Sequence, residues 1–316
     1  KIYLHNHLSA GAQAAALEKL RGQGVKILPS ITDGSGKGRM AATLASKSKR
    51  AAHVQDIVDL VLTNGYDGID LDYETFAFTD GSSTWSQTRP NWVAFVAELA
   101  DALHAEGKLL AVTVPPMYDD DYDSSSGYWV YDYAGVGKHT DLLRIMAYDY
   151  SVGSPGPIAP LGWVEKVAAF APTQLPGSKV QLGIPVYGRN WFTGKTGKCP
   201  VGQEIKTSNY SMTAGNALTS LAGDGVSPNQ ISRDASSGEM SVSYSITYKG
   251  LDAKGEKTQC VVSRRAFFAD AKSVADRVRV ARAAGLAGAA LWTIGGESAD
   301  QWPAVRDAVG VQKDKP

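Results

Sequence analysis

The segment Asp67-Gly68-Ile69-Asp70-Leu71-Asp72-Tyr73-Glu74 (DGIDLDYE) sets acids at every second position, the period of a β-strand. Alternate side chains of a strand share a face. Asp70, Asp72 and Glu74 therefore point one way, with Glu74 at the C-terminal end, while Asp67 has the other parity and is expected to do structural work at the strand's start. Helical patterns flank the segment. Val54, Ile57, Val58, Val61 and Leu62 before it, and Trp92, Phe95, Val96, Leu99 and Leu103 after it, each repeat at i, i+3, i+4 and so present one apolar stripe. A glycine ends each helical pattern and restarts a strand, at Gly24, Gly65, Gly107 and Gly285, as expected of helix C′ positions that take the left-handed conformation.

Further out, short apolar runs read as buried strands at Ile2 to Leu4, Val25 to Ile31, Gly68 to Tyr73, Leu109 to Val114, Leu142 to Tyr148, Val180 to Tyr187 and Ala287 to Ile294. Strand and helix alternate, which points to an α/β fold, either a (β/α) barrel or an open doubly wound sheet. In a barrel the active site lies at the C-terminal ends of the strands, where Glu74 falls. From about Asn190 to Arg265 the chain turns rich in Gly, Ser, Thr and Asn, and Met240 to Tyr248 alternates apolar with polar, as a half-exposed antiparallel strand does. Helical pattern resumes near Ala271. The expected organisation is a barrel domain over 1–189 and 266–310, an inserted α+β subdomain over 190–265 ahead of the last strand, and a tail over 311–316.

Composition narrows the function. The chain has 316 residues, 43% apolar and 20% charged, with 32 Lys and Arg against 32 Asp and Glu. That is a globular balance with no basic excess, which argues against nucleic acid and anionic lipid as partners. No stretch approaches the ~18 consecutive apolar residues of a membrane span, and the N-terminus KIYLHNHLSA lacks the parts of a signal peptide, so a soluble chain is expected. A mature secreted chain would have lost such a peptide. Cys199 and Cys260 fall in the same region of the chain, where one disulfide or two buried thiols would both fit.

Three acids on one face would repel if all were ionised, so at least one is expected to hold a proton near neutral pH, and the set should titrate as a coupled group. Carboxylates also bind Mg²⁺ or Ca²⁺, but no His stands beside them, and no metal or other cofactor is expected.

The segment DGIDLDYE resembles the DxxDxDxE signature of family 18 glycoside hydrolases, which include chitinases, endo-β-N-acetylglucosaminidases and spore-cortex peptidoglycan hydrolases. LPSITDG after the early strand, MAYDY at Met146 to Tyr150, GIPVYGR at Gly183 to Arg189 and ALWTIGGES at Ala290 to Ser298 are similar to that family's other segments and fall in its order, so the resemblance covers nearly the whole chain. It implies an eight-stranded (β/α)8 TIM barrel, one strand more than the seven runs above. It also implies that Glu74 is the general acid, that Asp72 binds the N–H of the sugar's 2-acetamido group, and that Asp70 backs Asp72 and shares its proton. Tyr148 would steady the acetamido oxygen, Asp149 would meet sugar hydroxyls, and Trp292 would floor the central subsite; an indole buried in the core is the other reading, but a strand-end Trp suits stacking on a sugar face. Tyr187, Arg189 and Met146 would line the cleft.

The family departs from the two-carboxylate scheme by substrate assistance, in which the acetamido oxygen attacks the anomeric carbon. The implied protein is a secreted, monomeric retaining glycosidase acting on β-1,4-linked N-acetylglucosamine, chitin first and peptidoglycan second. Some members of this fold are lectins that bind chitin oligomers without cleaving them, and they typically lack the acid glutamate that this chain keeps at Glu74. A loop carrying Tyr118, Tyr122, Tyr128 and Trp129 beside Asp119 to Asp121 would either grip sugars further out or be surface decoration.

Overall fold

The computed structural model describes residues 9–123 and 125–310, and the chain divides into two compact units, Lys1–Ile145 with Phe170–Gln181, and Met146–Ala169 with Leu182–Pro316. The expected run Ile2 to Leu4 and the tail over 311–316 lie outside the described residues. Five of the six other apolar runs contain a strand, and the run Val25 to Ile31 overlaps one at Ser30 and Ile31.

In the first unit β1 (Ser30–Thr32), β2 (Gly68–Asp72), β3 (Leu109–Val114) and β4 (Leu142–Ile145) pair in parallel and in that order. Register sets Ser30 beside Asp70, Asp70 beside Ala111, and Thr113 beside Arg144. The helices Lys47–Thr63 and Trp85–Ala105 bury the stripes that periodicity marks, Val54, Ile57, Val58 and Val61 on one and Trp92, Phe95, Val96, Leu99 and Leu103 on the other. Leu62 is the exception. It is 42% exposed, because one residue past Val61 turns the side chain about 100° away from the buried stripe. Gly65 and Gly107, just past these two helices, take φ of 61° and 65°, the left-handed conformation expected of them.

Strand β1 is shorter than the run Val25 to Ile31. Pro29 has no N–H to give a ladder, and Val25 is exposed, so regular pairing starts at Ser30. Asp67 does the structural work expected of it. Its carboxylate accepts from the Ile27 amide at 2.8 Å and lies 3.4 Å from Lys26, and the Ile27 amide first, with Lys26, holds its pKa below the usual carboxylate range.

The second unit holds most of β5 (Val180–Pro185), then β6 (Tyr187–Gly197), β7 (Tyr210–Thr213), β8 (Ser232–Arg233), β9 (Met240–Leu251), β10 (Lys257–Phe268) and finally β11 (Gly288–Trp292). Strand β5 neighbours β11, and the helix Ala271–Ala283 buries Val274, Ala275 and Val278 in a cluster with Ile184 and Val186. The other five form an antiparallel sheet in the order β7-β6-β10-β9-β8. This sheet spans Tyr187 to Phe268, a little beyond the compositional change at 190–265, because Pro185 closes β5 and the chain enters the new sheet at once. Met240 to Tyr248 lies in β9, as its alternation predicts, with Val242 and Tyr244 buried and Ser243 and Ser245 on the other face. Cys199 and Cys260 form a disulfide with a Cα–Cα distance of 4.6 Å, at the point where Cys260 on β10 pairs with Gly197 on β6. Among the described residues no helix is long and apolar enough to cross a membrane.

Candidate active site

The first unit carries the acids. Asp70 and Asp72 lie on β2 with the buried Ile69, Leu71 and Tyr73 on the opposite parity. Tyr73 confirms that alternation: its ring stacks on Phe95 and His53, and its hydroxyl lies 2.7 Å from His53 Nε2, away from the acids. Glu74 is not itself a strand residue. The strand ends at Asp72, and Glu74, at φ −113° and ψ −23°, leads into the short helix Thr75–Phe78. Two hydrogen bonds fix the backbone around it, Tyr131 Oη donating to the Tyr73 carbonyl at 2.7 Å and Thr75 Oγ1 to the Asp33 carbonyl at 2.9 Å.

The three acids differ in their surroundings. Asp70 is 3% exposed and accepts from Ser30 Oγ at 2.6 Å and Thr113 Oγ1 at 3.0 Å, with Arg144 Nη1 3.2 Å away. Asp72 has a buried oxygen, Oδ1, with no hydrogen-bond partner. Burial first, then the charges of Glu74 and Asp70 and a hydrogen bond with Glu74, push its carboxyl up to about 7. A carboxyl that titrates near neutrality beside a second carboxyl can pass a proton to or from it, which is what an acid catalyst requires. Among the described residues no group of three or more His, Cys, Asp or Glu is arranged to hold a metal ion.

The second unit carries the remaining candidates. Tyr148 and Asp149 lie beyond β4 rather than on it: the strand stops at Ile145, and the half-buried Met146 starts the loop. Asp149 takes φ 56°, a left-handed conformation that Asp tolerates better than most side chains. It is held by two neighbours. The Tyr187 hydroxyl donates to Asp149 Oδ1, and Arg189 Nη2 donates to the same oxygen at 2.8 Å. Burial, with the Asp149 charge and hydrogen bond behind it, pushes the Tyr187 phenol up, so that hydroxyl remains a donor. Tyr148 meets Tyr187 edge to face at 6.3 Å, and both pack on a cluster of Ile158, Trp191 and Phe267.

Trp292 ends β11, where its carbonyl accepts from the Val186 amide at 2.8 Å and the peptide after it is cis. Its side chain is 53% exposed, which excludes the reading of it as a core indole. A cavity of about 710 Å³ in this unit is lined by Thr193, Ser243, Ser263, Arg265 and Phe267, and none of the candidate catalytic or sugar-binding residues lines it.

The aromatic loop is largely packed. Tyr128 and Trp129 lie against Trp85, and Tyr122 takes Arg89 over its ring at 4.1 Å. Sequence reasoning missed the partners of Asp70. Arg144 was legible as a lone charge inside the apolar run Leu142 to Tyr148, where a buried cation needs an anion, and Ser30 stood unassigned inside LPSITDG.

Comparison with known proteins agrees with these motifs. Residues 4–297 match the family model of glycosyl hydrolases family 18. The YdhD protein of Bacillus subtilis (strain 168), which bears the name of a sporulation-specific glycosylase, is 33% identical over 185 residues, 57% of this chain and 41% of that protein. A cortical fragment-lytic enzyme of the same organism is 24% identical over 269 residues, 82% of this chain and 54% of the enzyme. This chain therefore spans about half the length of those relatives. Among solved structures, a chitinase from Chromobacterium violaceum ATCC 12472 superposes with a TM-score of 0.74 at 24% identity, covering 98% of this chain and 87% of that one, a likeness of fold. The chain belongs to glycosyl hydrolases family 18, a family of glycosidases.

Proposed function

We propose that the chain is a secreted, retaining glycosidase that cleaves β-1,4-linked N-acetylglucosamine polymers of the chitin type, with the substrate's own acetamido oxygen as nucleophile. The observation that carries this reading is the pair Asp72 and Glu74, two hydrogen-bonded carboxyls of which one titrates near 7. Glu74 protonates the glycosidic oxygen. Asp72, left as the anion when the shared proton passes to Glu74, accepts the acetamido N–H and stabilises the positive charge that develops as the oxygen attacks the anomeric carbon. The bond to the leaving sugar breaks, an oxazolinium ion forms, and water opens it with Glu74 now acting as base, so configuration at the anomeric carbon is retained.

The family resemblance assigns Tyr148 to the acetamido oxygen, Asp149 with Tyr187 and Arg189 to sugar hydroxyls, Met146 to the cleft lining and the exposed face of Trp292 to stacking on a sugar. On the same resemblance the parallel strands belong to an eight-stranded barrel, with the antiparallel sheet as its insertion, and the enzyme works as a monomer without a cofactor. The disulfide supports an oxidising, extracellular setting.

Peptidoglycan is the second reading, favoured by the names of the relatives at 33% and 24% identity. A lectin without activity is disfavoured by the presence of Glu74. Incubating the chain with chitin oligomers and, separately, with purified peptidoglycan, then identifying products by mass spectrometry, tests the assignment. Shortened N-acetylglucosamine oligomers are the expected result. Release from peptidoglycan alone would install the second reading, and no product from either would overturn the glycosidase.

A further inference from the structure

The acids on β2 belong to a polar row that crosses the first unit's sheet sideways. Ser30 on β1 pairs with Asp70 on β2, and two register positions further along Thr113 on β3 pairs with Arg144 on β4; the row continues to Gln181 on β5, whose Oε1 accepts from Arg144 Nε at 2.9 Å. Two hydroxyls and a guanidinium thus converge on Asp70, whose side chain is 4% exposed, while the Arg144 side chain is 23% exposed. On the same segment Asp72 senses both Asp70 and Glu74, so its charged neighbours there are acids. Arg144 is the cation facing this set from the strands packed beside it. Tyr131 adds a buried phenol that senses Glu74 and Asp72.

We propose that Arg144, oriented by Gln181, is a positioning residue: it pins the Asp70 carboxyl between Ser30 and Thr113 and so leaves Asp72 to exchange its proton with Glu74. The inference deepens the reaction proposed above and rests on it for its catalytic meaning. Asp70 is held by two hydroxyl donors beside a guanidinium, whereas Asp72 keeps an unpartnered buried oxygen and two acidic neighbours. Without the cation, Asp70 would be a buried, uncompensated charge and would compete for the proton. The general acid would then be loaded in only part of the molecules.

The test follows the carboxyl groups directly. The full chain, labelled with ¹³C at aspartate Cγ, is titrated by NMR as wild type, Arg144→Lys, Arg144→Gln and Gln181→Glu, and kcat/KM on an N-acetylglucosamine oligomer is measured over the same pH range. In Arg144→Gln the Asp72 titration is expected to depart from its wild-type midpoint, and the acidic limb of kcat/KM to move up by about one pH unit. Arg144→Lys keeps the charge and should restore the wild-type profile. Gln181→Glu leaves Arg144 in place but sets a rival anion against Nε, and should move both readouts the same way by less. A wild-type titration in Arg144→Gln overturns the proposal, as does one in Gln181→Glu should the first variant fail to fold. If no form cleaves the oligomer, the proposed reaction fails, while the carboxyl titration still decides the role of Arg144.

Discussion

Two carboxyls, the half-buried Asp72 on β2 and the buried Glu239 just before β9, meet opposite treatment. Burial pushes both up. At Glu239 the surroundings push back: the Arg277 guanidinium lies 3.2 Å away, and the Ile158 and Ala159 amides donate at 2.9 and 2.6 Å. Arg277 in turn gives its other protons to the carbonyls of Ser273 and Ser237, at 2.7 and 3.0 Å. At Asp72 the neighbours are Glu74 and Asp70, which push in the same direction as burial, and one oxygen has no partner at all. Full satisfaction marks scaffold, and an acid left short of partners marks chemistry.

That contrast can be broken first at its active end. Glu74→Gln keeps the shape and removes the ionisable proton, so kcat/KM on an N-acetylglucosamine oligomer should fall by about 10²-fold or more while oligomer binding, measured by calorimetry, persists. Turnover near the wild-type rate would remove Glu74 from the reaction.

The scaffold end should respond in stability instead. Glu239→Ala strands the Arg277 charge in the interior, and chemical denaturation should show a loss of about 3–5 kcal/mol. Activity per folded molecule should be unchanged. A small stability loss with a large activity loss would reverse the roles assigned to the two acids.

Trp292→Ala is expected to cost about 1–3 kcal/mol of transition-state stabilisation through lost stacking. Its stability loss should stay below the ~3–5 kcal/mol typical of a core Trp, since half of the side chain is already exposed. Severe destabilisation with normal kcat/KM would make it a packing residue.

The smallest effect sharpens the contrast through pH. The Asp72 pKa lies near 7 in the folded chain against an ordinary value of 3.8, so between those values the folded state binds more protons than the unfolded one. Asp72 therefore lowers stability as pH rises from about 4 to 7, and Asp72→Asn should be inactive yet more stable than wild type at pH 8 by about 1–3 kcal/mol, with a flatter stability profile below that. Equal stability of the two proteins across that range would contradict the raised pKa.

Much of this was legible in the sequence because period carries direction. The two-residue spacing of Asp70 and Asp72 sets them on one face of β2, and the stripe from Val54 to Val61 faces the core, as its spacing predicts. What period does not carry is lateral order. Arg144 reaches Asp70 from two strands away and Gln181 reaches Arg144 from the next, and no spacing within one segment contains that. Strand ends escape it for a related reason: Tyr148 and Tyr187 continue apolar runs in sequence, yet β4 stops at Ile145 and β5 at Pro185, where the chain turns into loop or new sheet.

The most direct test of the reaction compares two substrates that differ at one position. Initial rates on an N-acetylglucosamine tetramer and on the matching glucose tetramer, which lacks the acetamido group, report whether the substrate supplies the nucleophile. The N-acetylglucosamine chain should be cleaved with retention at the anomeric carbon, and the glucose chain should be inert. Cleavage of both at similar rates would mean that no acetamido group takes part, and that Asp72 and Glu74 do not act by substrate assistance.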